Sequence, residues 1–175
     1  MHEFIRVERR LMNTRLLKPV AAMVLPAAIA VLLAQACTSS NSAQSNEAAD
    51  PIEGLWISQV SITNCQTGAM MRQFQAMNLF IHGGTLIDTD AQPPSTHGPA
   101  FGTWENMGGS RYASVFQLFR FNPDGSFAGA NKVTRTITPS ADGNGFTSTV
   151  DVAVEDPTGA TVSSACGTET ATRFH

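Results

Sequence analysis

Charge is what this chain lacks first. From Pro19 to Asn46 there is no Asp, Glu, Lys or Arg, while the segment before it carries Arg6, Arg9, Arg10, Arg15 and Lys18. A basic start followed by an uncharged apolar run is the polarity of an export signal. The apolar part, residues 20–34, is only about 15 residues where a helix needs roughly 20 to cross a bilayer, and Pro26 interrupts it, which argues against a stable membrane span. Basic residues stay scarce afterwards. Beyond residue 36 there are six Lys and Arg against twelve Asp and Glu, a balance that gives no footing to nucleic acid. Histidine is equally thin. His82, His97 and His175 are the only three in that portion, and none stands in tight spacing with a second ligand, so neither a metal nor any other cofactor is expected. There is no G-x-S-x-G elbow for a nucleophilic serine, and Gly83-Gly84 and Gly108-Gly109 precede no helical pattern, which excludes a phosphate-cradling loop.

Within the signal, reading from Met12 gives the compact basic start "MNTRLLK", whereas reading from Met1 includes Glu3 and Glu8. Met12 is therefore the expected start. The pair Arg9-Arg10 lacks the following hydrophobic context of a twin-arginine signal. Ala34-Gln35-Ala36 stands directly before Cys37 and after Leu32-Leu33. This resembles the bacterial lipobox, which implies cleavage after residue 36 and a lipid anchor on Cys37. An ordinary small-x-small cleavage site would cut the same bond. Residues 37–50 then read as a flexible tether, and residues 51–175 as one domain. The expected location is outside the cytoplasm, as an outer-membrane or periplasmic lipoprotein, or secreted.

That domain also lacks any long stretch of helical periodicity. It is rich in Thr, Val, Ile and Phe and broken by Gly, Pro, Asn and Asp, an all-β signature. In "FTSTVDVAV" Phe146, Val150, Val152 and Val154 share one face and Thr147, Thr149 and Asp151 the other. Phe127, Val133 and Ile137 fall on one parity of the preceding segment, with Arg135 interrupting that face. "NPDG", "ADGNG" and "DPTG" are turns with a mechanism: fixed φ from Pro, local side-chain bonds from Asp or Asn, positive φ from Gly. Strands are expected at about 110–121, 126–138, 144–155 and 160–174, with four more beginning near Leu55, Met70, Gly84 and Phe101. The one long loop is "DAQPPSTHGPA". The segment "RYASVFQLFRF" is apolar on both parities, which leaves open a bulge near Gln117 or cover on both sides.

About eight antiparallel strands with short turns make an up-and-down barrel or a sandwich. Cys65 follows the first strand and Cys166 lies in the last, and two thiols of an exported protein can pair. If the sheet closes and these residues face one another, Ser58 lies opposite Arg173 and the two strands start and stop together. The expectation is an all-β antiparallel up-and-down barrel of about eight strands, with a Cys65–Cys166 disulfide.

Gly54-Leu55-Trp56, with Arg173 near the end of the chain, is similar to the lipocalin and wider calycin barrels; Gly102-Thr103-Trp104 repeats the G-x-W. The resemblance implies a first-strand Trp plugging one barrel end and a late Arg packing across it. Longer stretches, "NCQTGAMMR", "FIHGGTLIDT", "FRFNPDGSFAG", "KVTRTI" and "CGTETATRF", resemble small exported bacterial proteins of no established function, among calycin-like or allene-oxide-cyclase-like barrels. That resemblance implies a barrel and no activity.

Trp56, Phe80, Trp104, Tyr112 and Phe116 are the candidate lining of a cavity for a small apolar molecule. The competing use of such side chains is simply to fill the barrel. A second function class is an isomerase or cyclase of the allene-oxide-cyclase-like kind, which needs a buried polar residue such as Glu105, Asn78 or Tyr112 facing the cavity. A third is an envelope protein with a filled barrel acting through its surface. Glu169 and Arg173 read as a surface charge pair, Asp88 and Asp90 as a solvated strand end, and His82 as a strand-end residue beside a glycine turn.

Overall fold

A computed structural model describes residues 48–175. The signal segment 1–36, Cys37 and all but the last residues of the 37–50 tether lie outside the described residues. Eight strands follow in order: β1 (Gly54–Thr63), β2 (Met70–Ile81), β3 (Thr85–Asp90), β4 (Ala100–Gly108), β5 (Arg111–Phe121), β6 (Phe127–Pro139), β7 (Gly145–Glu155) and β8 (Thr161–Arg173). Each pairs antiparallel with the next, and β8 returns to β1, closing the barrel.

The closing register places Trp56 opposite Arg173 and Thr63 opposite Cys166. This corrects the expected pairing of Ser58 with Arg173 by two residues. The side-chain period of a strand is two, so the slip leaves every residue on its expected face. Cys65, just past the end of β1, reaches Cys166 in a disulfide with a Cα–Cα distance of 4.9 Å.

A second correction concerns Phe127. The pairing of β5 with β6 shifts between Arg120 and Phe121, beside Gly129 at φ 105°. An extra residue there reverses the parity, so Phe127 does not share the inner face of Val133. It is exposed and stacks edge-on against Phe119, ring centroids 5.7 Å apart. Strand β5 needs no bulge near Gln117: its register with β6 is continuous from Tyr112 to Arg120. Tyr112, Ser114 and Phe116 are buried while Val115 and Phe119 are exposed, so the apolar outer parity is surface rather than a second covered face.

The core lies inside the barrel and is graded along its axis. At one end Trp56, Phe80, Trp104, Tyr112 and Phe146 meet edge to face, with centroid separations of 5.1–6.2 Å. Aromatic rings favour this geometry because positive ring edges meet negative faces. Both indoles keep a hydrogen bond: Trp56 Nε1 donates to Ile52 O at 2.8 Å and Trp104 Nε1 to Ile81 O at 3.0 Å. Arg173 caps the plug, its Cζ 4.1 Å from the Trp56 ring centroid, donating to the carbonyls of Glu53 and Pro51 at 2.8 and 2.7 Å. Gly54 is required beside it, since its φ is +114° and a Cβ there would lie 3.0 Å from Arg173 Nη1.

Candidate functional site

Above the aromatic plug the barrel interior turns polar. Six inward positions, each flanked two residues away by apolar or small side chains, carry Ser58, Asn78, Ser114, Arg135, Ser148 and Glu169, all buried. The pleat of each strand sends them inward because their neighbours at i±2 are committed to the core.

They form one network. Arg135 Nη1 donates to both Glu169 oxygens, at 3.1 and 3.0 Å, and to Asn78 Oδ1 at 2.6 Å. Its Nε donates to Ser114 Oγ at 3.0 Å. Asn78 Nδ2 donates to Ser58 Oγ and Glu169 Oε1, and the Ser148 hydroxyl donates to Glu169 Oε2 at 2.8 Å. The guanidinium also lies over the Phe116 ring, 4.7 Å from its centroid. A buried charge pair is tolerated only when its remaining hydrogen-bonding capacity is met, and here almost all of it is. The exception is Arg135 Nη2, which is buried and has no hydrogen-bond partner.

Asp88 joins from β3, its Oδ2 3.8 Å from Arg135 Nη1. Burial raises the Asp88 carboxyl to about 7; the Arg135 charge opposes this, and Glu169 and Asp90 reinforce it. Glu169 goes the other way. Its burial favours the neutral acid, but the Arg135 charge and the Ser58, Ser148 and Asn78 donors together hold it below the usual carboxylate range. Two carboxyls on one arginine are thus driven apart, Glu169 ionised and Asp88 poised near neutrality.

Arg135, Asp88 and Glu169 line a cavity of about 50 Å³ at the barrel end opposite the plug. Val60, Phe74, Phe116, Leu118, Val133 and Val150 supply apolar parts of its wall, and Arg72, Asp90 and Gln92 line it as well. Asn131 also lines it, with a buried Oδ1 that has no partner. At the rim Arg72 Nη1 donates to Gln92 Oε1 at 2.8 Å, and Gln92 Nε2 donates to Asp90 Oδ2 at 2.9 Å. The 91–99 loop brings His97 Nε2 to 3.0 Å from Asp90 Oδ1 and runs along the end of β5, where Gly98 N donates to Phe119 O. At about 10–15 Å³ per water, the cavity has room for a few waters or a ligand group of similar size.

Of the five aromatic residues expected to line a cavity, only Phe116 does so. Trp56, Phe80, Trp104 and Tyr112 are packed together in the plug. Burial raises the Tyr112 hydroxyl to about 12, reinforced by its hydrogen bond to Asp50. Glu105 is exposed on the outer surface, whereas Asn78 sits within the polar network.

Two sequence readings are overturned. Glu169 and Arg173 are not a surface pair: both face inward, but Glu169 binds Arg135, and Arg173 binds backbone carbonyls and Trp56. Asp88 is not a solvated strand end but a buried carboxyl, and Asp90 is half-buried against His97. His82 follows β2 on the surface, 2.9 Å from Glu53. Among the described residues no group of three or more His, Cys, Asp or Glu is placed to hold a metal ion.

The fold and site together define an eight-stranded antiparallel barrel with one plugged end and one polar-floored cavity, consistent with a calycin-like barrel. Comparison with known proteins yields no matching family model, no similar curated protein and no similar solved structure.

Proposed function

We propose that this protein is an exported binding barrel whose cavity takes a small, mostly apolar molecule carrying one polar group. The observation that carries this reading is the cavity's lining, in which apolar Val60, Phe74, Phe116, Leu118 and Val133 stand together with Asp88, Arg135 and Glu169. Sites that orient ligands combine apolar walls with a few placed polar groups. The small volume favours a ligand of few heavy atoms over a lipid or a pigment. The Trp56–Arg173 cap and Gly54 support placing the barrel among the calycin-like proteins. Export is supported by the Cys65–Cys166 disulfide, which suits an oxidising compartment, and by the basic-then-apolar start. The lipobox-like residues before Cys37 make a lipid anchor on a bacterial envelope membrane part of the same reading.

Isothermal titration of the purified chain with the methyl ketones from propan-2-one to decan-2-one tests it. Affinity should rise over the first members and fall once the chain outgrows the cavity. No heat at any length, or an affinity that climbs steadily to the longest member, would overturn the reading.

A further inference from the structure

One charged group on the cavity floor is left over. Arg135 is shared by two carboxyls, Glu169 in hydrogen-bonding contact at 3.0 Å and Asp88 farther off at 3.8 Å. Glu169 is fully engaged, accepting from Arg135, Asn78 and Ser148, and none of its side-chain surface is accessible. No hydrogen bond reaches either oxygen of Asp88, whose side chain lines the cavity and keeps 10% of its surface accessible, against 2% for Arg135. Asp88 is therefore the charged group of the floor that an incoming molecule meets. From this placement we infer that Asp88 selects the ligand and that the group it selects is a primary ammonium, which makes the ligand a short-chain alkylamine. The inference rests on the binding reading above and names the polar group of that ligand.

The chemistry of the floor fits an ammonium. One guanidinium against two ionised carboxyls leaves a single negative charge, and a monocation completes it. An ammonium brings three N–H donors and no acceptor, while an ionised carboxylate has only acceptors to offer. Hydrogen bonds between ionised partners are the stronger kind, and exclusion of water strengthens them further. A carbonyl or ether oxygen brings Asp88 no donor at all. Burial raises the Asp88 carboxyl to about 7 against the pull of Arg135, so the counter-charge already present does not offset its desolvation.

The walls fit the alkyl chain. Asp88 pairs in register with Asn78, at the level of the polar network. On β1, β5, β6 and β7 the next inward residue away from the plug is Val60, Phe116, Val133 and Val150, each on the cavity. An ammonium seated on Asp88 thus has its carbon chain running past an apolar collar toward the mouth. The other charged groups stand at that mouth and are engaged there. Asp90 faces His97 Nε2 at 3.0 Å and accepts from Gln92, while Arg72 donates to Gln92 and lies 5.3 Å from the Phe74 ring centroid.

The test is calorimetric titration of the wild-type chain and of Asp88→Asn with butan-1-amine and with butan-2-one, which match in heavy-atom count. The wild type should bind the amine on the order of tenfold more tightly than the ketone, the margin of a charged over a neutral hydrogen bond. In Asp88→Asn that preference should be lost. Equal affinities in the wild type, or an amine preference that survives in Asp88→Asn, would overturn the ammonium assignment and leave the binding reading standing. No heat from either compound would overturn both readings.

Discussion

Arg135 and Glu169 meet inside the barrel from strands that are not neighbours, with Nη1 3.1 and 3.0 Å from the two carboxylate oxygens. Strand β7 lies between them and sends Ser148 to the same carboxylate. The pair therefore ties β6 to β8 through the interior as well as through the sheet. Glu169→Gln would leave the buried guanidinium with only the more distant Asp88, 3.8 Å away, as counter-charge, and a loss of about 3 kcal/mol is expected. Urea denaturation at neutral pH measures it. Because the folded carboxyl is held below its unfolded value, this contribution is present above the ordinary carboxylate range. It should fade as pH falls through the lowered folded value.

Asp88 has the opposite sign. Below about pH 4 its carboxyl is protonated in folded and unfolded chains alike. Between there and about 7 the unfolded chain gives up the proton while the folded one keeps it, so stability declines as pH rises across that window. Asp88→Asn should be near neutral at pH 4 and stabilising by about 2–4 kcal/mol above pH 7. Urea midpoints for both proteins across this range check the crossover.

Removing the disulfide acts through the unfolded chain. Cys65 and Cys166 are 101 residues apart in sequence, and releasing a link across a loop of that length costs about 2–5 kcal/mol. The double substitution Cys65→Ser and Cys166→Ser should lower the urea midpoint by that amount while retaining the β circular-dichroism spectrum. Intact-mass analysis of the oxidised wild type should show two hydrogens fewer than after reduction.

At the plugged end, Gly54→Ala forces a side chain into φ +114° and against Arg173 Nη1. A cost of about 1–3 kcal/mol is expected. The arginine should lose its seat on Trp56, which tryptophan fluorescence would report as a change in quenching and emission maximum.

The barrel was legible because its outer faces are wet and its turns carry their own chemistry. Alternation in "FTSTVDVAV" and the Asp, Asn and Gly of the hairpins placed the later strands within a residue or two of their observed ends. The parity of the two cysteines placed the closure on the right face even though the register slipped by two. Of the polar floor only Asn78 is legible as a buried polar residue; the rest is hidden for a physical reason. Ser58, Arg135, Ser148 and Glu169 each occupy an inward parity between apolar or small neighbours. A rule that sends charge outward treats Arg135 as an interruption. The available signal was their number: polar residues at inward positions on β1, β2, β5, β6, β7 and β8 pay desolvation together only if they bond one another. Phe127 lands on the wrong face because the one-residue bulge is marked in the sequence by a single strand glycine, Gly129. For the aromatic residues the sequence leaves cavity lining and barrel filling both open, because size and burial cannot by themselves separate a plug from a lining.

The quantity on which the site most directly depends is the ionisation of Asp88. Carbon-13 NMR of the chain labelled at aspartate, with Asp88→Asn to assign the resonance, gives it without a ligand. A midpoint near 7, well apart from the other aspartates, is expected of a carboxyl buried on the cavity floor beside an arginine already committed to Glu169. A midpoint near 4 would contradict the account, showing Asp88 to be solvated or fully paired and the cavity floor to be a salt-bridge network with no poised group.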